Sequence, residues 1–365
     1  MGSPLRIGVV GVGKISEQYF AEFPKLPGLK LVAVADLDAS RAAAVAAEQG
    51  VPALTVDELI ASPDVDAVLN LTIPAAHAEV ALRALAAGKH VYGEKPLALN
   101  PDEATPVLRL AVERGLRVGS APDTVLGTGV QTARALLDDG RIGTPVAASA
   151  FWTAPGHELW HPAPQFYYSE GGGPLFDMGP YSLSALVTLL GPVVRVSGSV
   201  GRSGRERTVA TGPLEGTSLR VEIDTHVSAL LEHASGVTST VMMSFDVWAA
   251  RLPRIEIYGT LGTIAVPDPN RFSDATELYT SDDRRWREVE PEAGYADAGR
   301  GYGLADMARA IETDRPHRAS AELAFHVLEI MDAILRAAHD RSVMELTSTV
   351  ERPAIVPEGA LPSRW

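Results

Sequence analysis

Two short motifs in the first third of the chain have the residue types and spacing of redox chemistry. Gly11-Val12-Gly13-Lys14-Ile15-Ser16 follows an apolar run. Its first glycine permits a tight turn, and Gly13 lets the backbone come close to a pyrophosphate. Ser16 stands where a third glycine is usual, so the helix that starts here packs less closely on its strand. Asp36 lies twenty positions after Ser16, where a carboxylate accepts hydrogen bonds from the adenosine ribose hydroxyls. Glu94-Lys95-Pro96 closes another apolar run and sets a lysine toward the reactive end of a dinucleotide. The contacts expected for that cofactor are Gly11, Gly13, Lys14, Ile15, Asp36, Thr72, Pro74, His77, Glu94, Lys95 and Pro96. His77, in the turn after the Ala67–Leu71 run, either touches the dinucleotide or caps its own helix. A carboxylate at Asp36 suits a free 2′-hydroxyl and repels a 2′-phosphate, favouring NAD. Arg41 nearby leaves NADP open.

The elements that must hold these residues are legible in the pattern. Between residues 5 and 120, the runs Arg6–Val10, Lys30–Ala35, Ala67–Leu71, His90–Tyr92 and Arg117–Gly119 read as strands. Helical patterns at 14–23, 39–49, 75–87 and 101–114 separate them, with Pro101 at a helix start and Gly88 and Gly115 at helix ends. Such alternation predicts right-handed crossovers and a doubly wound, mainly parallel sheet. After Asp123 the texture changes. A helix at Gly129–Asp139 precedes the runs Val146–Thr153, Val193–Val200, Leu219–His233, Gly236–Trp248 and Ile255–Val266, which predict a largely antiparallel sheet. Helices are expected again at Gly303–Thr313 and Ala321–Asp340. Residues 201–216 and 267–300, rich in Gly, Pro and charge, read as exposed loops.

Composition narrows the classes. The 365 residues suffice for two domains, and no apolar run approaches the roughly 20 residues of a membrane span. A formal charge of -14 argues against nucleic acid as a partner. With no cysteine in the chain, disulfides and thiolate chemistry are excluded, which fits a cytoplasmic enzyme. No basic and apolar leader is expected, because Leu5–Gly11 reads as a strand.

Taken in order, the glycine motif, Asp36, Gly88-Lys89-His90-Val91, Glu94-Lys95-Pro96, Ala121-Pro122-Asp123 and Gly171-Gly172-Gly173-Pro174-Leu175-Phe176-Asp177-Met178-Gly179-Pro180-Tyr181 resemble the Gfo/Idh/MocA family, named for glucose–fructose oxidoreductase and inositol dehydrogenase. The tail segment Arg315-Pro316-His317-Arg318-Ala319-Ser320 is similar as well. The resemblance implies a fold of class α/β plus α+β. Residues 1–123 would be a Rossmann domain that binds the dinucleotide. Residues 124–365 would be an open-faced sheet domain for substrate binding and for assembly into a homodimer or homotetramer. It also implies that Lys95 is the active-site lysine, that Pro96 is a proline often found in the cis form, and that Asp177 is the first acid of the family's Asp-x-Gly-x-His-x-x-Asp segment. Tyr181 stands in place of the histidine and Ser184 in place of the second aspartate. That resembles the branches using tyrosine as acid/base, and makes an inositol dehydrogenase proper less expected.

These residues suit the chemistry. Hydride transfer from a carbinol carbon requires the hydroxyl proton to leave nearly in concert, so a group near that oxygen must accept it. A free phenol titrates near ~10, and a neighbouring ammonium favours the phenolate by charge. Lys95 beside Tyr181 would supply it, and Asp177 would orient the lysine or a substrate hydroxyl. Set against this are a tyrosine that merely packs and an aspartate that merely caps a helix entered near Pro180.

His157-Glu158-Leu159-Trp160-His161 matches the zinc signature H-E-x-x-H in form only. Pro155-Gly156 before it and Pro162-Ala163-Pro164 after it leave no helix on which both histidines share a face, so no metal is expected. The segment reads as an aromatic loop with Trp152, Phe166, Tyr167 and Tyr168. Its rings suit the C–H faces of a sugar while His157, His161 or Asp123 reach the hydroxyls, or else they pack the domain junction or a dimer contact. Trp160, His161 and Asp123 are the expected substrate contacts, together with Lys95, Asp177 and Tyr181. The reading is an NAD(P)-dependent oxidoreductase for a sugar, polyol or related cyclic alcohol. The alternatives are a dihydrodiol dehydrogenase-like or anhydro-sugar reductase activity and a non-catalytic dinucleotide sensor.

Overall fold

The computed structural model describes residues 3–361, and two sheets organise them. Strands β1 (Leu5–Val10), β2 (Leu29–Ala35), β3 (Ala53–Leu54), β4 (Ala67–Asn70), β5 (His90–Gly93) and β6 (Val118–Ser120) form the first. Its order is β3-β2-β1-β4-β5-β6, and every pair is parallel. Helices α1 (Ser16–Glu22), α2 (Ala39–Gln49), α3 (Val56–Ala61), α4 (His77–Ala86) and α5 (Pro101–Arg114) make the crossovers. Local chemistry sets their ends. Asp38 caps α2 by accepting from Ser40 N and Arg41 N, and Gly50 ends it with a left-handed φ of 68°. Asn100 and Pro101 open α5. The strand order reverses between β1 and β4, so their carboxyl ends flank the crevice where such sheets bind ligands.

The sequence pattern assigns nothing to residues 51–66, where the structure has β3 and α3. Both are too short for periodicity to register, although the capping box of Thr55 and Glu58 that starts α3 is a readable signal.

The rest of the chain builds α6 (Thr128–Asp138), β7 (Pro145–Thr153), α7 (Gly173–Leu190), β8 (Val193–Gly201), β9 (Glu206–Thr208), β10 (Ser218–Arg220), β11 (His226–His233), β12 (Thr238–Ser244), β13 (Ile255–Gly259), β14 (Gly262–Val266), β15 (Thr276–Thr280), β16 (Trp286–Val289), α8 (Tyr302–Thr313), α9 (Ala321–Asp340) and β17 (Met344–Glu345). Nine of these strands form the second sheet, in the order β16-β15-β14-β13-β7-β12-β11-β8-β17. Only β7 and β12 run parallel. Helices α6, α7 and α9 lie on one face. Val227, Ala229 and Leu231 of β11 point into that core, while Ser228, Leu230 and Glu232 alternate outward.

Three expectations need correction here. The run Leu219–His233 is not one strand: after β10 the chain detours, with Val221 N bonding Arg205 O and Glu222 N bonding Tyr168 O, before β11 begins. β10 instead pairs with β9 as a small flap. Tyr168, Val209, Leu219, Val221 and Phe245 form a separate small core there. The segments 201–216 and 267–300 are not merely exposed loops, since they hold β9, β15 and β16. β9 and β16 are short polar edge strands, and β15 is only five residues long between β14 and β16, so the extended apolar alternation that marks a half-buried strand is missing. Finally, α7 starts at Gly173, with Pro174 in its first turn and Pro180 inside it. Asp177 is therefore an interior helical residue and not an N-cap.

The tail segment closes the structure. Arg318 donates to Asp306 from its backbone N (2.7 Å) and its guanidinium (2.6 Å). Ser120 N of β6 bonds Ala319 O at 3.1 Å, and His317 Nε2 lies 3.0 Å from Val118 O. This joins the start of α9 to the edge of the first sheet, directly behind the residues that follow β5.

Candidate active site

Lys95 leaves the end of β5, and its side chain points at α7. Nζ donates to the carbonyl of Asp177 at 2.6 Å and to its Oδ1 at 3.1 Å. Both side chains keep only 16% of their surface exposed. The second carboxylate oxygen of Asp177 lies 2.8 Å from His157 Nε2. The indole of Trp160, which can only donate, reaches His157 Nδ1 at 3.2 Å. Nδ1 is thus the acceptor, and Nε2 carries the hydrogen given to Asp177. Burial raises the pKa of Asp177, but Lys95 and the His157 hydrogen bond outweigh it and hold the carboxyl down to about 2. For Lys95, burial opposes the charged form, yet Asp177, Tyr181 and Glu94 raise its pKa. The pair is an ammonium and a carboxylate across the neutral range.

Tyr181 is one turn beyond Asp177 on α7, hence on the same face. It is buried, with Lys95 Nζ 5.2 Å from its ring centroid. The structure therefore brings Lys95, Asp177 and Tyr181 together, as their matched positions imply.

The cofactor residues surround the carboxyl ends of β1, β2, β4 and β5. Gly11 has a φ of +88°, and a Cβ on it would lie 2.7 Å from Leu71 O, so a side chain is excluded there. Around Gly13 nothing lies within 4 Å of the same position. Lys14 is exposed and Ile15 half-buried beside it. This open backbone fits a pyrophosphate. Ser16, buried, turns its hydroxyl back to Gly13 O at 2.7 Å. Asp36 accepts from Val12 N (2.9 Å) and Asp38 N (2.9 Å), which fixes the carboxylate against the glycine turn. Arg41 Nη1 stands 3.6 Å from it. Thr72 and Pro74 follow β4. Thr72 Oγ1 donates to Asn70 Oδ1 at 2.6 Å.

His77 is buried, with Nδ1 2.6 Å from Pro96 O and Nε2 3.0 Å from Thr72 O. Burial pulls its pKa below the ordinary value, against the two carbonyls that favour the charged ring. The ring ties the Thr72 turn to the Lys95–Pro96 segment, whose peptide bond is cis. Glu94 is also buried and accepts from Tyr19 Oη (2.9 Å) and Lys95 N (3.1 Å).

Two family descriptions match successive stretches of the chain. One, described as an oxidoreductase family with an NAD-binding Rossmann fold, matches residues 5–121, and the Gfo/Idh/MocA C-terminal domain matches residues 130–265. An inositol 2-dehydrogenase of Saccharopolyspora erythraea is 32% identical over 273 residues, 73% of this chain and 74% of that protein. The chain belongs to the Gfo/Idh/MocA oxidoreductase family. A dTDP-3,4-didehydro-2,6-dideoxy-alpha-D-glucose 3-reductase of Streptomyces antibioticus is 30% identical over 319 residues, 84% of this chain and 90% of that one. Among solved structures, an NAD binding oxidoreductase from Klebsiella pneumoniae superposes with a TM-score of 0.83 at 25% identity, covering 95% of this chain and all of that one.

Within this Gfo/Idh/MocA chain, the H-E-x-x-H segment is a short 3-10 turn over His157–Leu159. Its glutamate pairs with Arg207 of the flap at 2.8 Å. His161 Nδ1 accepts from Ala163 N. Among the described residues no cluster suits a metal ion. The loop is thus fixed from below by the flap, while Trp160 and Phe166 stay exposed at 58% and 54%.

Asp123 differs from expectation. It is fully buried and its Oδ2 accepts from Gly301 N (2.8 Å) and Gly303 N (3.1 Å). It anchors a backbone segment and does not face a substrate. Between those glycines and Gly299 sits Arg300, which sequence reasoning missed. Its Nη2 donates to Tyr181 Oη at 3.1 Å. Its one signal is an arginine flanked by glycines, lost in a segment that reads as loop. His157, expected only as one of the groups reaching a sugar hydroxyl, instead bonds Asp177.

Proposed function

We propose that the protein is an NAD-dependent dehydrogenase or reductase that acts on a carbinol or carbonyl carbon of a sugar, polyol or related cyclic alcohol. The observation that carries this reading is the Lys95–Asp177–His157 chain beside Tyr181, at the end of β5 where the nicotinamide half of a dinucleotide would reach. Nicotinamide, when bound, supplies the two-electron hydride acceptor or donor. Tyr181 takes the hydroxyl proton on oxidation and returns it on reduction. Lys95, a fixed ammonium, binds the substrate oxygen and opposes the charge that develops on it. Asp177, ionised and held by two donors, keeps Lys95 in place and accepts from a neighbouring substrate hydroxyl.

Lys14, Ile15, Thr72, Pro74, His77, Glu94 and Pro96 line or brace the cofactor cleft, and Trp160 and His161 cover the sugar. The relatives named for inositol and for a dTDP-linked keto sugar support that substrate class. Residues 1–123 serve the dinucleotide, and residues 124–365 serve the substrate and assembly. No helix among the described residues is long and apolar enough to cross a membrane. The same reading places the enzyme in the cytoplasm as a homodimer or homotetramer assembled through the open face of its second sheet.

Titration with NAD(H) and NADP(H), followed by turnover on myo-inositol, hexoses and anhydro-sugars, tests the reading. Saturable NAD binding with turnover on one of these classes supports it; failure to bind either dinucleotide overturns it. The Asp36→Ser variant is expected to lower kcat/KM for NAD and raise that for NADP, shifting the ratio about tenfold or more toward NADP as Arg41 is released. A ratio that does not move removes Asp36 from cofactor choice.

A further inference from the structure

The phenol oxygen of Tyr181 has a cation bonded to it, and that cation is not Lys95. Both hydrogen bonds from Lys95 Nζ go to Asp177, and its relation to Tyr181 is over the ring. Arg300 is 8% exposed and reaches Tyr181 Oη directly. The same Nη2 donates to Asn270 Oδ1 at 3.0 Å. The guanidinium also lies 5.5 Å from the Tyr181 ring centroid and 5.9 Å from that of Phe272.

Arg300 Nη1 and Asp123 Oδ1 come no closer than 3.8 Å, and neither has a hydrogen-bond partner among the described residues. The ion pair is therefore loose, and the committed bonds of the guanidinium are those to Tyr181 and Asn270. Asp123 contributes through the backbone, by holding Gly301 N and Gly303 N.

We propose that Arg300 is the positioning residue of the proton step: it fixes the Tyr181 hydroxyl and supplies the permanent positive charge that the tyrosinate needs. This rests on the acid/base reading of Tyr181. Because Arg300 donates into the phenol oxygen, the phenol's own hydrogen is left for another acceptor. On oxidation the carbinol carbon gives its hydride to oxidised nicotinamide, the hydroxyl proton passes to the Tyr181 oxygen, and the C–O bond becomes C=O. Reduction reverses each transfer. In either direction the tyrosinate is formed or consumed against a guanidinium that does not titrate in the accessible range.

The charged and titratable groups around Tyr181 and its two cations come from several elements: Lys95 and Glu94 after β5, Asp177 on α7, Tyr167 in the aromatic loop, and Asp123 with Arg300. Only Arg300 among them donates to the phenol oxygen. A division of labour follows, in which Lys95 serves the substrate oxygen and Arg300 serves the tyrosine.

The test compares Arg300→Gln, Arg300→Lys, Tyr181→Phe and the Arg300→Gln/Tyr181→Phe double variant. The readouts are tyrosinate ultraviolet absorbance against pH, pH–rate profiles on the sugar or polyol that turns over, NADH affinity, and thermal unfolding. In Arg300→Gln, the tyrosinate signal that is absent from Tyr181→Phe should move to higher pH. The rising limb of the oxidation rate should move with it, and kcat should fall about 10- to 100-fold at neutral pH, with NADH affinity unchanged. Arg300→Lys should restore part of the limb's position. In the Tyr181→Phe background the arginine change should cost less than about twofold.

If Arg300→Gln does not fold, Asn270→Ala removes one brace of the guanidinium and should shift the limb in the same sense. Limbs that stay put while rate loss tracks loss of thermal stability would falsify the proposal and leave Arg300 structural. Parental turnover by Tyr181→Phe would instead sink the acid/base reading beneath it.

Discussion

Replacing Tyr181 with phenylalanine is expected to lower kcat/KM by roughly 10²- to 10⁴-fold, the range associated with losing a general acid/base, with NADH binding close to that of the parent protein. The side chain is buried between Lys95 and Arg300, so the ring of phenylalanine fits the same space. What disappears is one hydroxyl. Arg300 loses an acceptor, which costs about 1–3 kcal/mol for a buried group left unsatisfied, so the melting temperature falls modestly. The two effects separate cleanly: a defect of stability is visible without substrate, and a defect of proton transfer is visible only in turnover. Steady-state kinetics in both directions, with NADH titration of the same preparation, checks this. Retained turnover would move the proton to another group, of which His157, bonded to Asp177, is a candidate.

Lys95→Met should impair turnover and stability together, because it removes the charge that opposes the developing oxyanion and the partner that holds Asp177. Loss of one preorganised donor at such a site costs about 10²- to 10³-fold. It should also destabilise more than the tyrosine change: removing one member of a mostly buried ion pair leaves the other uncompensated, at roughly 3–5 kcal/mol. The pH dependence carries a sign. With its folded-state pKa held down to about 2 against about 3.9 unfolded, Asp177 contributes stability that is fully present above the unfolded value and lost as pH falls through about 2. That contribution is on the order of 2–3 kcal/mol, and it should shrink when Lys95 is gone. Thermal unfolding of the parent and Lys95→Met between acidic and neutral pH measures it. The Lys95→Met/Asp177→Asn double variant should regain stability without regaining turnover. Recovery of both would remove the lysine from catalysis.

How far these residues were legible depended on whether local chemistry or distant contacts placed them. Gly11, Asp36 and Lys95 sit at strand ends that the apolar runs mark, and helices such as α5 and α9 have caps written in the sequence. Asp177 and Tyr181 were found through their motif, but their helix was read as starting too late. Pro180 resembles a helix start, and only packing of α7 on every side explains why it sits in the interior. Arg300, Asn270 and Phe272 were illegible for a different reason. They lie in segments ordered by distant contacts, Arg300 where Asp123 holds two backbone amides and Phe272 where its carbonyl accepts from Gly129 N, and no periodicity records such bonds. Asp123 was misjudged on the same account: a carboxylate at a domain junction looks available until its amide partners are known.

The way α9 begins has one more consequence. A parallel sheet has two outer strands whose unpaired amides invite strand addition from another chain. Here β3 offers only two residues, and the far side of β6 is closed by the Gly119–Ser320 bridge and the Ala319 carbonyl. The second sheet ends in β17, again two residues, and in β16, whose middle is Arg287-Glu288. Neither sheet exposes a long apolar rim. Edge-to-edge zipping of copies of this chain is thereby disfavoured, and the apolar side chains the second sheet shows to solvent, Val194 and Leu230, lie on its open face and not along a rim.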